Sequence, residues 1–292
     1  MQAIGNTVVV RRSWVPRIPG DSRLVVSGGV LVVLIFVAAA APLLAPHDPT
    51  AIDLTNTLAG TSPTHLLGTD QLGRDVFSRL IVGTRTSLLG PLVVLIGSTA
   101  VAVPLSLIAG YRRGWLDVGL SRIWDALFGF PTLLLAIAIV ATFGPGFWTA
   151  TLAVTIIYIP LLARVTRGAV LLEREKPYIE ACRLQGYSQP RIIFAHVLPN
   201  IGTVVGAQAV LNFGYSLLDL AALSFLGFGV QPPTSDWGEM LTDGRSSLIQ
   251  HSYLEVVSVS LAITLTVIAV NTFGYALADT GGARRCPIPC SR

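Results

Sequence analysis

Side chains that could do chemistry are sparse in this chain, and few stand at a spacing that chemistry requires. His47, His65, His196 and His251 lie far apart in the sequence, with no metal-ligand spacing. Cys182, Cys286 and Cys290 are odd in number and follow no regular pattern, which argues against a disulfide scaffold; the tail pair reads as reduced thiols. No Gly-x-Ser-x-Gly or His-Glu-x-x-His occurs. A P-loop needs a Gly-Lys-Ser/Thr core, and the sole lysine, Lys176, follows Glu175. The reading is therefore of no catalytic residue, no metal ligand set and no ATP site on this chain. What remains are ionisable residues in unusual settings. Asp219 interrupts an apolar run, where an acid costs about 2.5–3.5 kcal/mol on insertion scales. It serves either as a pore-lining acid that meets a cationic solute or as a structural acid bonded to a neighbouring helix. Asp70, Arg74 and Asp75 either touch a docked protein or fix their own segment, with Arg74 and Asp75 as a local pair; the second role is the commoner one for such pairs.

The elements that must position these residues are membrane spans. Of 292 residues, 52% are hydrophobic and only 12% charged, with a mean hydropathy of +0.67. A soluble domain carries about 25% charged residues, so the bilayer is the expected solvent. A span needs about 20 apolar residues. Six stretches qualify, at about 24–45, 86–110, 126–143, 147–163, 201–226 and 256–278, giving an all-α integral membrane protein. The turn Phe143-Gly144-Pro145-Gly146 divides the third from the fourth. Ala38 to Ala41 resembles a signal-peptide cleavage site, but the apolar run continues past it to Leu44, so the first stretch reads as a span. Sixteen of the 20 Lys and Arg fall on one side of this arrangement; only Arg74, Arg79, Arg85 and Arg245 fall on the other. Positive residues accumulate in the cytoplasm, so both termini are expected there. Four segments follow: a cytoplasmic stretch at 1–23, the first span with its external loop at 24–85, a transmembrane core at 86–279 with a cytoplasmic loop at 164–200, and a cytoplasmic tail at 280–292. Leu72, Val76, Phe77, Leu80 and Ile81 recur at helical spacing and predict an external amphipathic helix over about 71–84. Gly227 to Glu255 reads as an irregular loop, and Asp125 is expected to pair with Arg122.

Between the fourth and fifth spans, 164–200 is the informative segment. Pro177 fits the first position of a helix, and Gly186 is placed to end it with a positive φ. Ser188 offers a cap for a second short helix, which is expected to stop before Pro199. A short helix projecting from a membrane suits insertion into a partner's groove. A DNA-reading helix-turn-helix is disfavoured, because the segment lies against the bilayer and its charge follows the positive-inside pattern.

The string Glu180-Ala181-Cys182, Gly186, His196, Leu198-Pro199-Asn200 resembles the EAA loop of permease subunits in bacterial binding-protein-dependent ABC importers, with Cys182 in place of the second Ala. The histidine before Leu-Pro-Asn is similar to the dipeptide, oligopeptide and nickel branch. So are Gly68 to Arg79, Ala109 to Asp117 with Phe130-Pro131, and Leu226 to Pro233 with Trp237-Gly238. The short N-terminal segment and single long external loop resemble the C-type permease. Tyr275, Ala278 and the tail from Thr280 depart from the family's ending. The resemblance implies half of a translocation pore in the plasma membrane, completed by a second, unlike permease. It implies one or two ABC ATPase subunits holding ATP and Mg, an extracytoplasmic binding protein, and no nucleic acid. Peptides are the favoured cargo, with nickel or another small solute as the alternative. A self-contained ion-coupled transporter would instead show related repeats or several intramembrane ionisable residues.

Overall fold

The computed structural model describes residues 20–283, almost entirely helical among them. The terminal stretches 1–19 and 284–292, with Cys286 and Cys290, lie outside the described residues. The helices are α1 (Gly20–Leu44), α2 (Val76–Arg112), α3 (Trp115–Phe128), α4 (Thr132–Phe143), α5 (Phe147–Arg174), α6 (Pro177–Leu184), α7 (Gln189–Ile192), α8 (Leu198–Phe225), α9 (Trp237–Ile249) and α10 (Leu254–Ala283). Among the described residues, five helices are long and apolar enough to cross a membrane, with α7 and α8 counted as one; the count reaches six if α3 and α4 form a single bent span.

Four expectations need correction. First, no separate amphipathic helix covers 71–84. Asp75 caps α2 by accepting the Ser78 N–H, and α2 then runs unbroken for 37 residues, so the second span starts well before residue 86. At about 1.5 Å per residue it is about 55 Å long, more than a bilayer core requires. Second, the third span is broken. Gly129, Phe130 and Pro131 separate α3 from α4 at a 90° bend, because the residue before a proline is driven out of the helical region. The 12 residues of α4 reach only about 18 Å. Third, the segment 227–255 contains α9, capped by Asp236 accepting the Gly238 N–H. Fourth, the helix after Gly186 does not stop before Pro199. A π-helical turn at Ile193–Val197 links α7 to α8, with the Leu198 N–H reaching Ile193 O. Pro199 has no N–H to donate and its ring crowds the carbonyl four residues earlier; widening the turn before it lets the helix continue.

The turn between α4 and α5 falls at 144–146, as the Gly-Pro-Gly run predicts. Three buried clusters hold the helices together. One, around Leu107, Leu162, Ile179, Ile192 and Ile201, lies at the end that carries α6. A second, around Val94, Val140, Val154 and Leu223, occupies the middle. The third, around Val76, Leu217, Trp237, Met240 and Val259, lies at the opposite end. Small residues bring α2 and α5 close enough for Ser106 Oγ to donate to Ala163 O at 3.0 Å. Helix α1 packs on α10 and α2, and its Val25, Val32 and Leu43 are exposed, as a lipid-facing helix requires.

Candidate functional site: a helical corner and a buried ionic latch

Helix α6 is positioned by its two ends and by one buried side chain. Pro177 occupies its first turn. At the other end Gly186 has φ +80°, its N–H reaches Arg183 O at 3.0 Å, and the Tyr187 N–H reaches Cys182 O at 3.1 Å. That pair of bonds is a Schellman closure, and the half-buried Cys182 packs with Tyr187 against the core beneath it. Ile179 is fully buried, whereas Glu180, Ala181 and Leu184 are exposed, Leu184 at 85%. Sequence reasoning missed Leu184; a lone leucine at a helix end carries no signal until its exposure is known.

Polar contacts tie this corner to the long helices. Glu173 on α5 accepts from Tyr178 Oη and from Lys176 Nζ, both at 2.6 Å. Asn200 Nδ2 donates to Tyr178 Oη and to His196 O, both at 2.8 Å. Burial and the Glu173 carboxylate push the Tyr178 phenol up to about 12, so it keeps its proton and the relay stays intact. His196 stacks on Tyr187 at 5.9 Å. Ser188 stands at the N-cap position of α7 without a capping side-chain bond. Leu198 and Pro199 lie in the first turn of α8, directly after the π turn. Tyr178 thus links α6 to α5 through Glu173 and to α8 through Asn200.

Midway along the helices, Asp219 on α8 accepts a hydrogen bond from Tyr158 Oη on α5 at 2.9 Å. Asp125 pairs with Arg164 at 2.9 Å instead of with Arg122, because the α3–α4 bend brings it beside α5.

At the end opposite α6, the sequence had singled out Asp70, Arg74 and Asp75. All three side chains are buried, and Arg74 and Asp75 do not pair with each other. Gly73 has φ +74°, and a Cβ there would lie 1.8 Å from Asp53 O, so only glycine admits this turn. The turn lets Asp70 Oδ1 accept the Leu72 and Arg74 N–H groups at 2.8 and 2.9 Å. Asp70 Oδ2 takes Arg74 Nε at 2.6 Å and also Arg79 Nη1. From α9 and α10 come the partners that sequence reasoning missed. Arg74 reaches Asp243 at 2.6 Å, while Arg79 reaches Glu239 at 2.7 Å, Asp243 at 3.0 Å and Glu255 at 3.5 Å. Two guanidiniums thus face four carboxylates. Burial pushes Glu239 up to about 7, Arg79 opposes that shift, and Asp243 adds to it. This latch fastens the loop before α2 to α9 and to the start of α10. Burial works to raise Asp75 as well, yet hydrogen bonds from Ser78 and His65 hold it below its ordinary value.

A bent helical hairpin, a projecting corner helix and a buried external latch form one arrangement, and it has relatives. The profile of the family described as binding-protein-dependent transport system inner membrane component matches residues 102–281. The chain belongs to that family. A second profile, the N-terminal TM domain of oligopeptide transport permease C, matches residues 22–62. Among similar proteins, the dipeptide transport system permease protein DppC of Alkalihalophilus pseudofirmus is 39% identical over 259 residues, covering 88% of this chain and 85% of that one. The glutathione transport system permease protein GsiD of Pectobacterium atrosepticum is 40% identical over 256 residues, covering 87% and 85%. The di/tripeptide transport system permease protein DppC of Pseudomonas aeruginosa is 41% identical over 260 residues, covering 86% of each. In structure, a chain of the MetNI methionine ABC transporter, solved in inward-facing conformations, superposes with a TM-score of 0.59 at 18% identity, over 70% of this chain and 96% of that one. That likeness establishes the shared fold. The chain is a multi-pass membrane permease component of the C-type peptide-permease group.

Proposed function

We propose that this permease forms half of the translocation pore of an ATP-driven importer of dipeptides or oligopeptides. Its pore is completed by a second, unlike permease. ATP and Mg are held by separate ABC ATPase subunits, which grip α6 from the cytoplasm. An extracytoplasmic binding protein delivers cargo at the face that carries the latch. The carrying observation is α6 itself: a Schellman-closed helix anchored by Ile179, presenting Glu180, Ala181 and Leu184 outward and wired to α5 and α8 through Tyr178. The relatives' names support peptides as cargo. The positive-inside distribution supports cytoplasmic termini and a cytoplasmic α6. Asp219, tied to Tyr158 between α8 and α5, is the acid that would meet a peptide's ammonium group.

In this mechanism, closure of the ATPase dimer moves α6, and α5 and α8 follow. Closure must bind the two pore conformations with different affinity, or it shifts nothing. Glu180→Lys reverses the charge on the exposed face without touching Ile179. The variant is expected to reach the membrane at wild-type level and to lose uptake of labelled peptide. Undiminished uptake by that variant would remove α6 as the coupling element.

A further inference from the structure

His47, His65 and Asp75 come from three separate places in the sequence, and the fold brings them together at the end opposite α6. Their ligand atoms all lie within 4.8 Å of one another. His65 Nδ1 is 3.0 Å from Asp75 Oδ1, and His47 Nδ1 is 3.8 Å from Asp75 Oδ2. Metal–ligand bonds of 2.0–2.1 Å in a tetrahedron put neighbouring ligand atoms about 3.4 Å apart, between those two separations. The imidazoles lie with centroids 4.9 Å apart and planes 34° from parallel.

The backbone beneath each ligand is fixed. The His47 N–H donates to Ser78 Oγ at 3.1 Å. The His65 N–H donates to Ser62 Oγ at 3.0 Å, and His65 O accepts from the Ser62 and Gly68 N–H groups at 2.9 and 3.0 Å. Asp75 Oδ2 is oriented by the Ser78 N–H at 2.8 Å and Ser78 Oγ at 2.6 Å. The Ser78 contacts orient the Asp75 carboxylate in advance, as outer-shell partners do around metal ligands, and the other bonds hold the backbone that carries the two imidazoles. The histidine side chains are 42% and 23% exposed, the carboxylate 2%, so solvent reaches one side and leaves room for a fourth, water ligand. The nearby triplet Asp70, Asp243 and Glu255 also converges, but its carboxylates are already engaged by Arg74 and Arg79. Among the described residues, no lysine or arginine forms an ion pair with Asp75.

We propose that His47, His65 and Asp75 bind one divalent transition-metal cation of the zinc or nickel class, clamping the exit of α1 to the start of α2. Imidazole with one carboxylate is the ligand set that suits such ions. Binding exchanges the His65–Asp75 hydrogen bond for metal bonds at both Nδ1 atoms and one Asp75 oxygen; a proton on Nδ1 of a neutral ring moves to Nε2, and only an imidazolium gives one up to solvent.

The test uses the untagged full chain in nanodiscs, stripped with a chelator, with Cys182, Cys286 and Cys290 replaced by serine so that no thiol competes. Titration with Co²⁺ is followed by visible absorption and calorimetry, and bound Co²⁺ is then displaced by Zn²⁺. The expected result is one Co²⁺ per chain with ligand-field bands, weakened by roughly tenfold or more in both His47→Ala and His65→Ala. Zn²⁺ is expected to raise the unfolding temperature of the parent but not of His47→Ala. His47→Ala carries the test if His65→Ala folds poorly, since its ring is the more exposed. No saturable Co²⁺ binding below about 1 mM, or binding that His47→Ala leaves unchanged, overturns the site; an affinity change alone decides it, as 1.4 kcal/mol corresponds to about tenfold.

Discussion

Arg79 is 1% exposed and sits at the centre of the latch, with carboxylates from Asp70, Glu239, Asp243 and Glu255 arranged around it. Removing one partner of a buried ion pair leaves the others uncompensated and costs about 3–5 kcal/mol. Arg79→Met is therefore expected to lower the unfolding temperature of the detergent-solubilised chain by several degrees. A change in melting no larger than that of an exposed surface substitution would show the charge to be dispensable. Glu239 adds a dependence on pH. Its carboxyl is raised from 4.5 to about 7, so between those values the folded chain binds more protons than the unfolded one. Stability therefore falls as pH climbs from about 4.5 through 7. Thermal unfolding should show that decline in the parent chain, and Glu239→Gln should flatten it. Asp70, Arg74 and Asp75 were visible in the sequence as a dense charged string. Their true partners were not, because Asp243 and Glu255 come from the far end of the chain and nothing local announces them.

At the scale of the element, α6 shows how much local chemistry can fix. Pro177 starts it and Gly186 ends it, and both ends follow from properties of single residues. A Cβ on Gly186 meets nothing within 4 Å, so Gly186→Ala costs only what the left-handed backbone imposes, about 1–2 kcal/mol. The expected outcome is a properly inserted permease with reduced uptake and a loosened corner, read by faster amide exchange over 177–187. Unchanged exchange there would mean that the closure is held by packing alone. Elsewhere the elements escaped local reasoning. The amphipathic spacing at 72–81 is real, yet Val76 to Ile81 form the first turns of a long helix that continues through Pro91 and Pro104 to Arg112. The kink at Gly129 to Pro131 falls inside the stretch 126–143 read as one span, and the helix before it packs against α2 and α5. The helix through Pro199 depends on a π turn that no propensity scale contains.

As a whole molecule the chain leaves a broad apolar surface uncovered. Leu43, Phe143, Trp148 and Leu172 are exposed, at 89%, 77%, 62% and 74%, along with much of α1. A bilayer covers some of this surface; we expect a second permease to cover another part, and ATPases to receive Leu184 and its neighbours. A tagged chain drawn from detergent-solubilised membranes is expected to bring down a second six-span permease and a P-loop ATPase. Recovery of this chain alone, as a homo-oligomer that transports in liposomes without ATP, would favour an ion-coupled transporter instead.

By itself the sequence determined what depends on composition and on neighbours along the chain. Apolar length marked the membrane helices, though not the start of α2 or the break between α3 and α4; no Gly-Lys-Ser/Thr core occurs, and Pro177 and Gly186 set the bounds of α6. Tertiary structure alone decided which charges meet, that Asp219 answers Tyr158, that α3 and α4 turn by 90°, and that His47 and His65 stand side by side. The physical reason is range: capping, turn strain and hydrophobic length act over a few residues. Ion pairing and helix crossing join residues that only the closed fold makes neighbours.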